Sequence, residues 1–489
     1  MDKKLNFVLP CIILGTTAIL LRLFALGNIP GLLGDEAWGY AQVQLFLKGI
    51  DYTLITPSGR LYSPIHALII YITRAAEPFW IRFPAFLQGS ITAVISYNQF
   101  KKITSKDTAL ISALILSTFP VHFLYSRYAW ECSLIPLFGI FITKFILEKC
   151  WIKAVALILI SFPLVHPTMI FFLPPLLLPF YNELKDKNLL PKLIYQIIFA
   201  CILIIAAGLY VFFHDMPIYI PTFEGFMKYT LGVSDFWSGT IISQKPKNYF
   251  ILIFNLIFLS CVISLSVLHF KKFKKFEKKF FIGMGISLFL LFLLRSVTPV
   301  IAGHERAILF SGVPLCLYLG LLLSHFRWGK IVGMFLSVVY IGIIVFLYFA
   351  PFLETGGQGI QTHTGPEDPK YAATKWVLEH AQHNNELKIV AEDWGIYWNF
   401  YNYALTKSDF KIKIRQASGQ QGFDEKLAIK NADQLHQFIG ENGYVIGFNK
   451  GRVEYLIIQL MEKGFMFSRI GFKDYAGENY IFVWIPEKK

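Results

Sequence analysis

Charged residues are scarce in this sequence. They make up 16% of its 489 residues, whereas hydrophobic residues make up 55% and phenylalanine alone occurs 47 times. A soluble globular domain carries about 25% charged residues. The shortage excludes an ordinary soluble protein and is typical of a chain that exposes much of its surface to lipid.

Cysteine is also rare, and repeats are missing. The six cysteines have no C-x-x-C spacing, and none of them lies in residues 352–489. Neither a disulfide framework nor a zinc site is therefore predicted. The sequence shows no internal repeat and no low-complexity linker, which argues against a repeat array.

Acidic residues are under-represented in only one part of the chain. Residues 1–351 carry 30 Lys and Arg against 15 Asp and Glu, whereas residues 352–489 carry 16 against 17. A nucleic-acid-binding protein concentrates positive charge on a soluble face. Here the positive charge lies between apolar runs, as in the cytoplasmic loops of a membrane protein. We therefore predict a transmembrane domain at 1–351, a water-exposed domain at 352–489 and no nucleic-acid partner.

The apolar runs predict about eleven transmembrane helices, because a hydrocarbon core about 30 Å thick needs about 20 apolar residues per helix. The first run, from Leu5 to Leu26, exceeds the length of a signal-peptide core and is interpreted as an uncleaved span. Region 151–182 is interpreted as two short spans that turn at His166. The runs lie near 6–27, 82–101, 107–126, 132–149, 151–166, 167–182, 192–213, 248–269, 280–299, 305–325 and 329–351.

Positive charge predicts the orientation of these spans in a plasma (inner) membrane. Six cationic loops alternate along the chain and can all lie on the cytoplasmic side. The N-terminus is then cytoplasmic and residues 352–489 are extracytoplasmic. The cationic loops contain Lys3/Lys4, Lys101/Lys102/Lys106, Lys149/Lys153, Lys185/Lys187/Lys192, the run Lys271 to Lys279, and Arg327/Lys330.

Two segments on the predicted outer side contain further structure. In the first outer loop (residues 28–81), Glu36–Lys48 and Pro64–Ala76 are interpreted as helices that lie in the membrane interface. In the tail (residues 352–489), helical and strand patterns alternate, which predicts a small α/β domain. The predicted tail helices are Tyr371–His383, Trp394–Leu405, Asp424–Asn442 and Arg452–Lys463, and the predicted strands are Leu387–Ala391, Tyr444–Phe448, Phe465–Gly471 and Tyr480–Ile485.

Asp35 and Glu36 follow the first span and have two interpretations. In one, Asp35 is the N-cap of a helix and Glu36 stabilises its first turn. In the other, a carboxylate held near the bilayer surface is made more basic by partial desolvation.

Other polar groups share this predicted face and have similar alternatives. Arg127 is interpreted either as a snorkelling cation or as a functional group. Arg306 either forms a structural ion pair or acts on a ligand, and His166 is more typical of a polar turn. Charges inside spans usually have partners. Together the candidates place a base beside several cations, which displacement of a phosphate leaving group requires. The converging groups are Asp35, Glu36, Glu131, Arg127, His304, Arg306 and Arg295.

The first outer loop resembles that of the GT-C membrane glycosyltransferases, in the branch of bacterial protein-mannosyltransferases and aminoarabinose transferases. The resemblance rests mainly on residues 5–150 and includes the run Leu33-Gly34-Asp35-Glu36-Ala37-Trp38-Gly39-Tyr40. Glu131 stands where that family often has aspartate, and Arg306 is followed by alanine instead of tyrosine. Further matching segments are Ser63-Pro64-Ile65-His66, Ile81-Arg82-Phe83-Pro84-Ala85, Ser126-Arg127, His304-Glu305-Arg306, and Asp393-Trp394 with Trp398 and Tyr401.

This resemblance implies a mechanism. A polyprenyl-phosphate sugar is the donor, and Asp35 deprotonates a hydroxyl of a lipid, glycan or protein acceptor for an inverting displacement. The resemblance implies no obligatory cofactor and leaves a divalent metal open without indicating one. Arg127, His304, Arg306 and Arg295 are implied to bind the donor phosphate, and Glu131, Trp38, Tyr40, Tyr128 and His66 the substrates.

Two other functions fit the same composition. A transporter or flippase of a lipid-linked or anionic substrate also needs charges within its spans. A non-catalytic membrane subunit could use its tail to recruit partners. The absence of repeats and the clustering of charge at one face favour the enzyme, and transfer of a radiolabelled sugar from a polyprenyl-phosphate donor would separate it from both.

The alternating cationic loops generate a first prediction, about topology. Reporter fusions placed after Lys106, Lys192 and Lys279 should be cytoplasmic, and fusions within 214–247 and after Pro366 should be external, because the positive loops are retained inside. A cytoplasmic tail would overturn this arrangement and the outer position of Asp35.

Overall fold

The structure is a computed structural model, and its contacts divide the chain into two compact units. Unit 1 comprises 1–24, 56–62 and 85–345, and unit 2 comprises 25–55, 63–84 and 346–489. The residues that the structure describes are 2–49, 61–181, 257, 260–295, 309–357, 362–381, 386–407, 411–417 and 428–487.

Helices dominate the described residues before the tail. Among these residues, one helix, Gly329–Thr355, is long and apolar enough to cross a membrane by length and composition. It contains a π-helical turn at Ile344–Phe349. The predicted number of spans is therefore neither established nor excluded, and residues 192–213 and much of 248–269 lie outside the described residues. The helices are α1 Asp2–Leu23, α2 Gly34–Leu47, α3 Tyr62–Thr73, α4 Pro78–Phe100, α5 Lys106–Thr118, α6 Pro120–Tyr125, α7 Ile135–Leu147, α8 Trp151–Leu164, α9 Leu173–Phe180, α10 Lys275–Arg295, α11 Leu309–Ser324, α12 Gly329–Ile343 and α13 Ala350–Thr355.

The predicted turn at His166 is confirmed. Helix α8 ends at Leu164, and the His166 side chain accepts a hydrogen bond from the backbone N–H of Thr168 at the start of a 3₁₀ segment. Pro167 occupies the first position of that segment, where its missing N–H is no loss. His166 therefore caps a helical break, which is the structural role that its sequence context favours.

Unit 1 has a continuous apolar core between α5, α11 and α12. Fully buried side chains such as Ile111, Leu116 and Leu317 meet there. Close approach of α11 to α5 depends on Gly320, since an added Cβ would overlap Ser112 and would lie 2.8 Å from the Thr108 carbonyl oxygen. Small residues at helix contacts allow backbones to approach in this way.

The described residues of the tail form a five-stranded mixed sheet with helices on both faces. The elements are α14 Pro369–His380, β1 Glu386–Ala391, α15 Trp394–Lys407, β2 Lys411–Gln416, α16 Ala432–Ile439, β3 Tyr444–Phe448, α17 Arg452–Glu462, β4 Phe467–Lys473 and β5 Asn479–Pro486. The strand order is β2-β1-β3-β5-β4, in which β2, β1 and β3 are parallel and β5 pairs antiparallel with β3 and β4. Successive residues of β1 face two different cores, so Ile389 packs with α14 and α15, whereas Val390 packs with α16 and α17.

The predicted α/β class of the tail is confirmed, with two local errors. Strand β2 was not predicted, because its alternating lysines are typical of a solvated segment. In the structure it is an edge strand paired with β1, and charged side chains on an edge strand oppose pairing with a further strand. The predicted helix Asp424–Asn442 is wrong in its described first part. The helix begins at Ala432, since the Asn431 side chain accepts a hydrogen bond from the Gln434 N–H and caps it there.

Unit 2 includes most of the predicted first outer loop as well as the tail. The backbone N–H of Gly31 donates to the Thr362 carbonyl, and the N–H of Leu32 donates to Asp368 Oδ2 at 2.6 Å. Asp368 also pairs with the fully buried Lys370. The loop before α2 is thus fixed to the start of α14. These units describe packing, and the predicted division into 1–351 and 352–489 stays a prediction about the membrane.

Glu392 connects three elements at the carboxyl ends of β1 and β3. Its buried carboxylate accepts hydrogen bonds from the backbone N–H groups of Phe448 and Arg452. The second of these groups lies at the N-terminus of α17, where a carboxylate stabilises the helix dipole. Burial raises the pKa of Glu392, which the backbone donors oppose.

The buried position of Glu392 generates a stability prediction. Glu392→Ala should lower the free energy of unfolding of the tail by about 1–3 kcal/mol, because backbone donors lose their acceptor. The exposed Glu379 provides a matched control. Glu379→Ala should change the free energy of unfolding by less than about 0.5 kcal/mol. Thermal unfolding of the purified chain gives the comparison, and equal melting temperatures for the two variants would contradict the assigned role.

Candidate functional site

Helix α2, which follows the first predicted span, begins at a different residue from the one that the N-cap interpretation requires. Helix α2 starts at Gly34, with Leu33 as its N-cap residue. Glu36 lies three positions later and its Oε2 accepts a hydrogen bond from the Leu33 N–H at 3.1 Å. The interpretation of Asp35 as the N-cap residue is therefore wrong. The Glu36 carboxylate accepts the hydrogen bond of the N-cap N–H, and Asp35 lies in the first turn of the helix.

Glu36 forms a fully buried ion pair with Arg82 of α4. Arg82 Nη2 lies 2.6 Å from Glu36 Oε2, and Arg82 Nε lies 2.9 Å from Glu36 Oε1. Both side chains have no exposed surface. The guanidinium also donates to carbonyl oxygens of the loop before α2, at Leu26, Pro30 and Gly31. This bidentate geometry is the strong form of an arginine–carboxylate pair.

Asp35, in contrast, is exposed. Neighbouring residues of an α-helix point about 100° apart, so a buried Glu36 turns Asp35 to another side. The Asp35 Oδ1 atom accepts a hydrogen bond from the indole N–H of Trp394 at 3.1 Å. Trp394 is the first residue of α15, in the same unit. The exposed carboxylate is thus held by one donor of the tail.

The aromatic candidates of unit 2 differ in exposure. Trp38 is half-buried, and its ring makes an edge contact with Trp398 at a centroid distance of 6.4 Å. Tyr40 is fully buried and its hydroxyl donates to the Ala75 carbonyl, while its ring packs against His66. Burial lowers the pKa of His66 to about 4, so the ring is neutral at pH 7. Tyr40 and His66 therefore offer no exposed ring to a substrate.

In unit 1, Arg127 lies at the end of α1. Its Nη1 atom donates to the carbonyl oxygens of Arg22 at 2.6 Å and of Phe24 at 2.8 Å. These carbonyls belong to the end of α1 and the residues just after it, where a cation is favourable. Arg127 is fully buried. The described contacts thus assign Arg127 to fixing the end of the first helix.

Arg22 extends the same cluster. Its Nε donates to Ser126 Oγ at 2.6 Å, its Nη1 donates to the Ser117 carbonyl at 2.9 Å, and its Nη2 lies 3.2 Å from His122 Nδ1. A buried guanidinium needs such neutral acceptors when it is held inside a helical bundle. Arg22 therefore connects α1 with α5 and α6.

The other candidates of unit 1 follow α6. The Tyr128 ring is buried and stacks on Trp130 at a centroid distance of 5.1 Å, and Glu131 begins a short 3₁₀ helix that ends at Leu134. Stacking on Trp130 explains the burial of Tyr128 and leaves it no exposed face. Glu131 is half-buried.

The remaining phosphate candidates are largely outside the described residues. His304 and Arg306 lie outside them, and Arg295 is the last residue of α10, with its side chain not described. The predicted convergence of the unit 1 cations with Asp35 therefore stays a prediction. In the described part of the chain, no group of three or more His, Cys, Asp or Glu side chains could hold a metal ion.

Two residues of this site were not predicted as functional. Arg82 carries a signal in the sequence, because a charge near the start of an apolar run requires a partner. Its partner, Glu36, is 46 residues away. Trp394 belongs to a segment that resembles the GT-C family, but this resemblance gives it no role, because a tryptophan at the start of a tail helix is also typical of core packing.

Comparison with known proteins shows similarity in structure alone. No protein-family model matches the sequence, and no curated protein matches it either. ArnT, an aminoarabinose transferase from Cupriavidus metallidurans, is similar in its apo state, with a TM-score of 0.59, 12% identity and 97% coverage of both chains. The same enzyme bound to undecaprenyl phosphate matches with a TM-score of 0.54.

An archaeal enzyme has a weaker similarity. The oligosaccharyltransferase from Archaeoglobus fulgidus, tethered to an acceptor peptide, matches with a TM-score of 0.50 and 10% identity over 91% of this chain and 69% of that chain. Both neighbours are GT-C enzymes. The chain therefore has the GT-C fold, a fold of integral membrane proteins, as the sequence predicted.

The Glu36–Arg82 pair generates a prediction about stability. Arg82→Met leaves a buried carboxylate without its cation and should lower the free energy of unfolding by about 3–5 kcal/mol. Lys407→Met breaks a half-exposed pair with Glu77 in the same unit, and should cost about 0–1 kcal/mol. Melting temperatures in detergent compare the two variants, and a stable Arg82→Met protein would show that the pair is dispensable.

Proposed function

We propose that this protein is a membrane glycosyltransferase that moves a sugar from a polyprenyl-phosphate donor to an acceptor hydroxyl at the outer face of the membrane. The observation that carries the proposal is the difference in environment between the neighbouring carboxylates of Asp35 and Glu36. Glu36 is buried in an ion pair, and Asp35 presents an exposed carboxylate on a GT-C fold. The ArnT complex with undecaprenyl phosphate supports a lipid-phosphate donor.

In the proposed reaction, Asp35 acts as general base. It takes the proton of the acceptor hydroxyl while the hydroxyl oxygen forms a bond to the anomeric carbon. The bond between that carbon and the phosphate oxygen breaks on the opposite side, so the configuration inverts and the electron pair leaves with the polyprenyl phosphate. A positioned base of this kind contributes about 10²–10⁴-fold to the rate.

The departing phosphate gains negative charge and requires cations. We assign this role to Arg306 with His304 and Arg295, on the resemblance of their sequence to the GT-C enzymes. Arginine suits it because its planar group binds two phosphate oxygens at once. The described contacts of Arg127 favour a structural role at the end of α1.

The proposal includes the plasma-membrane topology predicted from charge, with the tail outside. The acceptor is a lipid, a glycan or a protein hydroxyl. The Archaeoglobus enzyme was captured with an acceptor peptide, which supports an acceptor that approaches from the aqueous side. Of the aromatic residues proposed to contact the substrates, Trp38 lies three residues after Asp35 and is partly exposed.

Asp35→Asn tests the proposal. Asparagine preserves size and polarity but cannot accept the proton, so sugar transfer should fall about 10²–10⁴-fold at unchanged folded yield. The matched control is Asp107→Asn, because Asp107 is also an exposed carboxylate in the first turn of a helix. Transfer of radiolabelled sugar from a panel of polyprenyl-phosphate donors measures both variants.

Three outcomes separate the alternatives. Loss of transfer in Asp35→Asn, with full transfer in Asp107→Asn, supports the base. Full transfer in Asp35→Asn removes Asp35 from the mechanism. If the wild-type protein transfers no sugar but moves a lipid-linked substrate across vesicles, the protein is a transporter or flippase.

A further inference from the structure

Among the described residues of the tail, one side chain donates a hydrogen bond to the candidate base. The indole Nε1–H of Trp394 donates to Asp35 Oδ1 at 3.1 Å, and both residues lie in unit 2. The two are 359 residues apart in the sequence. A hydrogen bond to a charged group is stronger than one between neutral groups. Asp35 is therefore held by an element that the rest of the mechanism does not use.

The backbone around this contact is closely packed. A Cβ atom added to Gly34 would overlap Trp394 Cδ1 and would lie 3.0 Å from both Gly395 Cα and the Trp394 carbonyl oxygen. Glycine is thus required at the residue before Asp35, because the start of α2 lies directly against the start of α15. Gly39, further along α2, has no atom within 4 Å of an added Cβ.

Further contacts join α15 to α2 and to the loop before it. Asn399 Nδ2 donates to the Leu32 carbonyl at 3.1 Å, and Gln44 Nε2 donates to Asn402 Oδ1 at 2.8 Å. The start of α15 is itself capped, since Asp393 Oδ1 accepts a hydrogen bond from the Ile396 N–H. Trp394 therefore belongs to a helix that several contacts join to α2, and these contacts place its N–H beside Asp35.

We propose that Trp394 is a positioning residue for the base: its N–H holds Oδ1 of Asp35 and directs Oδ2 toward the acceptor hydroxyl. This inference rests on the proposed function. A carboxylate on a short side chain rotates about its terminal bond, and one held oxygen fixes the other. Misplacing a reacting group by about 1 Å can cost about 10²-fold in rate.

The experiment compares two tryptophans of the same helix. Trp394→Phe keeps an aromatic ring and removes the donor to Asp35. Trp398→Phe makes the same change at a residue whose buried indole N–H has no hydrogen-bond partner among the described residues. Trp394→Phe should lower kcat about 10–100-fold with unchanged KM for donor and acceptor, as expected for losing one hydrogen bond to a charged group. Trp398→Phe should keep the wild-type kcat.

A second pair of variants moves the backbone instead of the donor. Gly34→Ala should lower kcat to a similar extent, because the added methyl group separates the two helix starts. Gly39→Ala should leave kcat unchanged. Melting temperatures are measured for all four variants, since a purely structural contact would lower the melting temperature while leaving kcat per folded molecule unchanged.

The outcomes distinguish this inference from the proposed function. If the wild-type protein transfers sugar, Asp35→Asn does not, and Trp394→Phe keeps full kcat, the role of Trp394 is overturned and the proposed function stands. An equal loss in Trp394→Phe and Trp398→Phe would also overturn it, because the donor would then not matter. If the wild-type protein transfers no sugar, both are overturned.

Discussion

The buried pair of Glu36 and Arg82 is the interaction on which the candidate site depends. A guanidinium has five N–H donors, and a buried one is stable only when they are satisfied. Arg82 meets this requirement with both oxygens of Glu36 and with the carbonyl oxygens of Leu26, Pro30 and Gly31. The Glu36–Arg82 pair therefore joins the loop before α2, the start of α2 and the start of α4. Breaking this pair would remove contacts of all three segments at once.

The same pair explains how adjacent carboxylates acquire different environments. The Glu36 carboxylate accepts a hydrogen bond from the Leu33 N–H and forms an ion pair with Arg82 inside the protein. Its negative charge is therefore balanced by Arg82. Asp35 follows the helical rotation to the exposed side and meets Trp394. An acidic pair at a helix start is usually only a capping signal. Here Glu36 fills the structural role, and Asp35 is left exposed for the proposed role as base.

The sequence predicted the features that depend on local patterns. The α/β tail and the helical break at His166 follow from alternating patterns and from the proline beside the break, and the GT-C fold follows from the resemblance of the predicted first outer loop to that family. The edge strand β2 was missed because its lysines serve its position in the sheet, which no local pattern reveals. The pairs Arg82–Glu36 and Trp394–Asp35 were missed for the same reason, since each joins segments distant in sequence.

The fixed loop between α1 and α2 also has a consequence for synthesis. Its anchors, Thr362 and Asp368, and the donor Trp394 all lie far after Asp35 in the sequence, Trp394 by 359 residues. A ribosome produces the N-terminal part first, so Asp35 exists long before the residues that hold it. The candidate base is placed only after residues 362–394 have also been made and the tail has folded. Chains that terminate early thus contain the carboxylate without its setting, and the order of synthesis itself delays assembly of the site.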